Sequence, residues 1–246
     1  MKSILIFGAM FLLSACTPIV KQNSHQTIEI TQPENSNNNY QIVDKKHNEL
    51  LKRGETLIKK REYRRAIVEC FNPIIRDYNN VYANSSNRIY TARTKEEYDF
   101  YAMSAINEGK AVKILSDNWS KAYFLKAYTL LELKELNLAE KNIRKALYLA
   151  PSNAKYLSEL GHIQHIHKDF SQALKTYQLA EKSATLFSPK NLKKEEIIHA
   201  KIGIGYSYTE LKEFNRAKNI YKEVLKLDSH NKIAIRELQY IKSLKY

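Results

Sequence analysis

Glycine and proline are scarce, six and five in 246 residues. A chain so poor in both has few tight turns and is expected to be largely helical. Cysteine is rarer still: Cys16 and Cys70 are the only two, too few for a disulfide scaffold. Acidic residues fall 14 short of basic ones. A surface of that sign favours anionic partners, whether nucleic acid, acidic lipid headgroups or acidic proteins. Catalytic signatures are missing too. There is no Gly-x-Ser-x-Gly and no His-Glu-x-x-His, and "GIG" at 203–205 lacks the strand and third glycine of a nucleotide loop. What is present is apolar content, 43% of the chain, enough for a sizeable core.

The N-terminus reads "MKSILIFGAMFLLSAC". One early cation, Lys2, precedes an apolar run from Ile4 to Leu13. That run is too short to span a bilayer but has the length of a signal-peptide core. It ends in Leu13-Ser14-Ala15-Cys16, which resembles the lipobox of bacterial lipoproteins. The resemblance implies a leader over 1–15, cleavage before Cys16, and lipid attachment at Cys16. It implies a membrane anchor and an exported location, which removes nucleic acid from the partners. Thr17 stands where inner-membrane retention favours Asp. The expected location is therefore the cell envelope, at the outer membrane, facing the periplasm. With Cys16 lipidated, Cys70 is left with no partner for an intramolecular disulfide. Residues 16–40 carry the lipidated Cys and an Asn-, Gln-, Ser- and Thr-rich stretch, expected to be a flexible tether with a reach of roughly 25–30 Å.

After residue 41 a pattern recurs. A small residue is followed by Ala at +12, a bulky residue at +16 and a small apolar one at +19. The copies are Ala127, Ala139, Ile143, Ala146; Gly161, Ala173, Tyr177, Ala180; and Gly205, Ala217, Tyr221, Val224. Gly54, Ala66, Cys70 and Pro73 form a weaker copy, in which Pro73 predicts an irregular second helix. Small residues let paired helices approach closely, and the bulky residue fills the gap beside them. The first two strong copies lie 34 residues apart and the third follows after 44, which places an insertion near 188–197. This pattern resembles the tetratricopeptide repeat family. The resemblance implies an all-α fold, an α-solenoid of antiparallel helix pairs. The expected division is divergent N-terminal helical repeats over 41–119 and regular repeats over 120–246, closed by a capping helix at 232–244. Residues 86–119 keep a helical period but a poor signature, and read as a divergent repeat or an irregular helix. Cys70 is expected to be a buried, inert thiol, and Trp119 to pack in the core.

The run "GHIQHIHKD", 161–169, then falls on the first helix of a repeat. His162 and His165 share a face and His167 turns away. In the resembled family, first helices line a concave surface. Equivalent faces here carry Lys121, Phe124 and Tyr128, then Lys155, His162 and His165, then His199 and Tyr206. The expected partner groove is Lys121, Phe124, Tyr128, His162, His165 and Tyr206, outside the internal packing columns. Aromatics with polar tips suit recognition. Family members that clamp peptide carboxyl termini use Lys, Asn and Arg; only Lys121 matches, so that ligand is not carried over. Two histidines start a metal site but nothing completes it, so no metal, cofactor or catalytic residue is assigned. The expected function is a non-enzymatic adaptor binding a protein or peptide in the envelope. It would serve secretion or pilus assembly, outer-membrane assembly or cell-wall metabolism. The alternatives are a cell-wall-acting enzyme with a histidine centre, and a basic lipoprotein binding anionic lipid or glycan. Histidines titrating at the interface would make capture change between about pH 6 and 7.5.

Overall fold

The computed structural model describes residues 38–244. The leader, Cys16 and the tether up to residue 37 lie outside the described residues. Helix α1 (Asn38–Lys59) is followed by α2 (Tyr63–Arg65), which runs through a π-helical turn (Ala66–Phe71) into α3 (Asn72–Tyr82). Strand β1 (Arg88–Ala92), helix α4 (Lys95–Asn107) and strand β2 (Val112–Ser116) come next. Three helix pairs follow: α5 (Asn118–Glu132) with α6 (Leu136–Leu149), α7 (Ala154–Ile166) with α8 (Phe170–Phe187), and α9 (Lys193–Glu210) with α10 (Phe214–Leu227). Helix α11 (Lys232–Ser243) closes the stack, with Ala234 and Ile241 buried against the last pair.

The recurring positions are the packing columns of an α-solenoid. Ala127, Ala139, Ile143, Ala146, Ala173, Ala180, Ala217, Tyr221 and Val224 are all fully buried. The glycines are required by rings. A Cβ on Gly161 would lie 2.7 Å from Cε2 of Tyr177, and one on Gly205 would lie 2.6 Å from Cε1 of Tyr221. A Cβ on Gly203 would also enter the Tyr177 ring, so that ring is held between α7 and α9. The weak copy follows the same rule one residue out of step. Gly54 faces the ring of Phe71 most closely, with Cys70 Cβ 3.2 Å from where its own Cβ would lie. The π turn supplies the extra residue just before Pro73, whose ring and missing N–H disfavour a regular helix there. Cys70 is a buried free thiol, and burial pushes its pKa up.

A second periodic feature marks the helix-to-helix turns. Arg61, Lys134, Lys168 and Lys212 all have φ of 61–62°, the left-handed region. Each is followed by an acidic residue and then the second helix of its pair: Glu62, Glu135, Asp169 and Glu213. The same turn in all four pairs places α1 through α3 in the repeat series. The insertion expected near 188–197 is not a separate loop. It lengthens helices: α8 has 18 residues against 14 in α6, and α9 has 18 against 13 in α7.

Residues 86–119 depart from expectation. They form neither a repeat nor an irregular helix but a strand–helix–strand unit. Strands β1 and β2 pair in parallel, with Arg88 opposite Val112 and Ala92 opposite Ser116. The helical period through Tyr101, Ala102 and Ala105 is α4, whereas Val112 belongs to β2. These residues and Ile114 make a small core of their own. Thr94 caps α4 by accepting from the Glu97 amide at 3.1 Å, and Gly109, at φ +63°, lies just beyond its end.

The unit docks through apolar contacts, with Ile89 in the main core and Phe100 against Phe187 at 4.9 Å, and through polar ones. Arg93 donates to both carboxylate oxygens of Glu196 on α9, at 2.7 and 3.2 Å, and lies 3.9 Å from Glu97. The Arg93 backbone amide donates to Glu97 at 2.7 Å. Ser188 donates to Glu196 as well. Side-chain exposures are 11%, 0% and 8% for Arg93, Glu97 and Glu196, so this is a buried ion cluster. Burial opposes the Arg93 charge, but the carboxylates of Glu196 and Glu97 together help offset it, and its pKa is held up. Burial raises the Glu97 pKa against the pull of Arg93. Thr94 donates to the Phe187 carbonyl at 3.0 Å, and the Ser152 amide donates to the Tyr101 hydroxyl at 3.0 Å. On the other side, Trp119 stacks on Tyr78 at 5.3 Å, carrying the core from the first helix pair into α5.

Candidate partner groove

The first helices of successive pairs face one cavity of about 1100 Å³. Phe124 and Tyr128 of α5 line it, as do His162 and His165 of α7 and His199 and Tyr206 of α9. Lys155 and Glu159 of α7, Glu55 and Lys59 of α1, and Ile233 of α11 complete much of the rim. Spacing alone put His162 and His165 on one face, and the fold turns that face inward. His167 lies outside, 41% exposed and 3.4 Å from Glu140.

Three expected groove residues have other roles. Lys121 does not line the cavity; its ammonium pairs with Glu55 at 2.8 Å. Phe124 borders the cavity but is a core residue, stacked on Tyr156 at 4.9 Å. Its ring also carries the Lys155 ammonium 5.2 Å from its centre. Tyr206 is likewise tied down. Its hydroxyl accepts from Arg236 at 2.7 Å and donates to Glu237 at 3.1 Å, which fastens α11 to the groove wall.

His165 is packed by rings on three sides: Tyr177 at 5.2 Å, Phe170 at 5.9 Å and Tyr206 at 6.4 Å. Its Nε2 meets the Ser207 hydroxyl at 2.7 Å. A histidine against a serine suggests an activated nucleophile, but the proton count denies it. Ser207 spends its one proton on the Gly203 carbonyl, at 2.9 Å. Its oxygen can therefore only accept, and Nε2–H of His165 donates. Ser207 is fully buried within α9, out of reach of a substrate.

Burial sets the charge state of the floor. It pushes His165 down to about 4, with His162 adding to the effect. Burial also lowers His162, and it lowers His199 together with nearby His162 and Lys155. Burial thus favours the neutral imidazole at all three, and it moves the titration of His165 below the expected window. Glu159 shifts the other way. Burial raises it to about 7, with Glu132 adding to the rise and Lys155 opposing it. Glu159 was not among the expected groove residues. Its signal was its place on α7, between Lys155 and His162 at helical spacing. The lining is thus apolar rings and hydrogen-bonding groups, with Lys155 and Glu159 among them. Among the described residues, no three His, Cys, Asp or Glu side chains gather as a metal shell.

A family model described as tetratricopeptide repeat matches residues 120–153 and 198–231. These two segments, α5–α6 and α9–α10, are matched as tetratricopeptide repeats. The α7–α8 pair between those matches has the same columns and the same left-handed turn. Among solved structures, the pilF protein of Pseudomonas aeruginosa is 16% identical, with a TM-score of 0.56 over 81% of this chain and 68% of that one. The yeast histone chaperone Hif1 is 11% identical, with a TM-score of 0.53 over 82% and 94%. At such identities the likeness is one of fold. The first tetratricopeptide domain of Spaghetti, solved with an HSP90 peptide, is 20% identical with a TM-score of 0.44 over 50% and 92%. No curated protein matches the chain. Tetratricopeptide repeat proteins are typically non-enzymatic scaffolds or adaptors, and no catalytic family is indicated. Among the described residues, no helix is long and apolar enough to cross a membrane.

Proposed function

We propose that the chain is a lipid-anchored adaptor of the bacterial cell envelope that captures a protein or peptide segment in the groove. The observation that carries the reading is the lining itself. First helices of four successive pairs and the capping helix face one cavity, lined by rings and imidazoles with the charged or titratable side chains of Lys155, Glu159, Glu195 and Glu196 among them. Such a lining offers apolar contact from the rings and hydrogen bonds from the imidazoles and acidic side chains to a peptide segment. The repeats support a protein partner, because adaptors are what these repeats typically build. The anchor rests on the leader motif ending at Cys16. Anchored at the outer membrane, the adaptor would serve secretion or pilus assembly, outer-membrane assembly or cell-wall metabolism, its effective concentration raised at the membrane.

The test is affinity capture from solubilised envelopes with the full chain, comparing native protein with a His162→Ala/His199→Ala variant. These two line the groove and keep some exposure within it, whereas Tyr206 is needed by α11 and Phe124 by the core. Capture should fall while thermal stability holds. The same variant capturing the same partners as native protein would refute the groove. For the anchor, Cys16→Ser should abolish palmitate labelling; labelling that persists would refute it.

A further inference from the structure

The wall opposite the groove has a composition of its own. Its helices are α6, α8 and α10, the second members of the pairs. Their carboxylates are drawn into ion pairs. Glu140 pairs with Arg144 at 2.6 Å, and Glu181 and Glu223 both pair with Lys201 of α9, each at 2.6 Å. Six of their lysines are not. Lys141 and Lys145, Lys175 and Lys182, and Lys222 and Lys226 are exposed, and no ion pair holds them among the described residues. Between these lysines stand large apolar side chains open to solvent. On α6 they are Leu138 and Tyr148, 50% and 62% exposed; on α8 they are Leu179 and Leu186, 49% and 50% exposed. On α6 the order Leu138, Lys141, Lys145, Tyr148 follows helical spacing, and so does Lys175, Leu179, Lys182, Leu186 on α8. Lys141, Arg144, Lys145 and Tyr148 surround a shallow depression of about 310 Å³.

We infer that this outer wall lies on an anionic lipid surface, independently of any acyl anchor. Rows of unneutralised ammonium groups on helices about 10 Å apart match a plane of headgroup phosphates rather than one bound ion. The interleaved leucines and tyrosine decide between kinds of polyanion. Against a nucleic-acid backbone these apolar side chains have no counterpart. At a bilayer they enter the headgroup boundary while the lysine stems extend to the phosphates. The surface is thus amphipathic across α6 and α8, and the exposed lysines of α10 extend its charge. With that wall on the bilayer, the groove opens away from the membrane.

The experiment uses the full chain carrying Cys16→Ser, so that no acyl chain contributes. Partition onto phosphatidylcholine vesicles is compared with partition onto vesicles containing one-quarter phosphatidylglycerol. Any binding by the leader, the charge of Lys2 included, is common to native protein and the variants below, so the loss of anionic-specific binding on substitution is the readout. Lys145→Gln and Lys182→Gln should each lower the anionic-specific part about fivefold, and Leu179→Ser should lower it further. Leu179→Trp adds a probe, because the one native tryptophan, Trp119, is buried. Its emission should shift to the blue on anionic vesicles and be quenched by lipid-borne quenchers. Equal partition onto both vesicles would overturn the inference, as would lysine variants that bind like native protein. Tight binding to duplex DNA, unaffected by Leu179→Ser and without the emission shift on vesicles, would assign the wall to a different polyanion and overturn it too.

Discussion

Residues 118–231 and residues 88–116 both join a segment to its neighbours, with opposite chemistry. In the repeats the joint is a ring set against a missing methyl group: Tyr177 between Gly161 and Gly203, Tyr221 on Gly205. In the strand–helix–strand unit a main joint is charge, with Arg93 bridging Glu196 and Glu97 away from solvent. Apolar packing spreads its energy over many small contacts, so each substitution removes a part. A buried charge cluster does not divide in that way. Removing one member leaves the others in a medium that cannot solvate them. The repeats are therefore expected to lose stability gradually, and the inserted unit to release in one step.

The largest expected effect follows. Arg93→Ala leaves Glu97 and Glu196 buried without their cation, and should cost about 3–5 kcal/mol, read from the denaturant midpoint. A cost below about 1 kcal/mol would mean that apolar contacts hold the unit and the contrast fails. Next comes Gly203→Ala. In most helices this change stabilises by about 1 kcal/mol; here the methyl group enters the Tyr177 ring, and a net loss of about 1–3 kcal/mol is expected. The same change beside Tyr177→Ala should be tolerated, which a double-mutant cycle measures.

The third prediction concerns pH and the groove floor. Glu159 titrates near 7 when folded, above its ordinary 4.5, so its ionised form opposes folding. Stability should fall as pH rises from about 5 to 8, and Glu159→Gln should remove that slope, gaining roughly 1–2 kcal/mol at pH 8. His165 has the opposite sign. Its folded pKa of about 4 lies below its ordinary 6.5, so its contribution is complete above 6.5 and is lost as pH falls toward 4. Thermal melts from pH 4 to 9 should trace a bell for native protein and a one-sided curve for Glu159→Gln. The smallest effect belongs to the turns. Lys168 sits at φ 62°, and Lys168→Gly should raise stability by about 0.5–1 kcal/mol, whereas Lys168→Ala keeps the strain and should change little.

The repeats are legible in the sequence because their packing is local. Ala139 and Ala173 lie 34 residues apart because each pair repeats the contacts of the last. The turns carry a second local signal, a basic–acidic dipeptide: Arg61-Glu62, Lys134-Glu135, Lys168-Asp169 and Lys212-Glu213 mark the same turn four times. The strand–helix–strand unit has no such signal. Each strand is five residues long, and the α4 period runs almost unbroken into β2. Its partner Glu196 lies 103 residues from Arg93, beyond any local pattern.

Sequence by itself determined the helix pairs, the glycine notches, the closing helix and the face shared by His162 and His165. Each depends on residues within one or two helical turns or one repeat, and period carries that information. Only the tertiary structure decided that Phe124 is core, that Lys121 is spent on Glu55, and that the ring of Phe71 joins Cys70 against Gly54. It also favoured the neutral imidazoles and made Glu159 the group that titrates near 7. The reason is that solvation is a property of the whole stack. Whether water reaches a side chain depends on how successive pairs curve around it, and no spacing within one helix records that curvature.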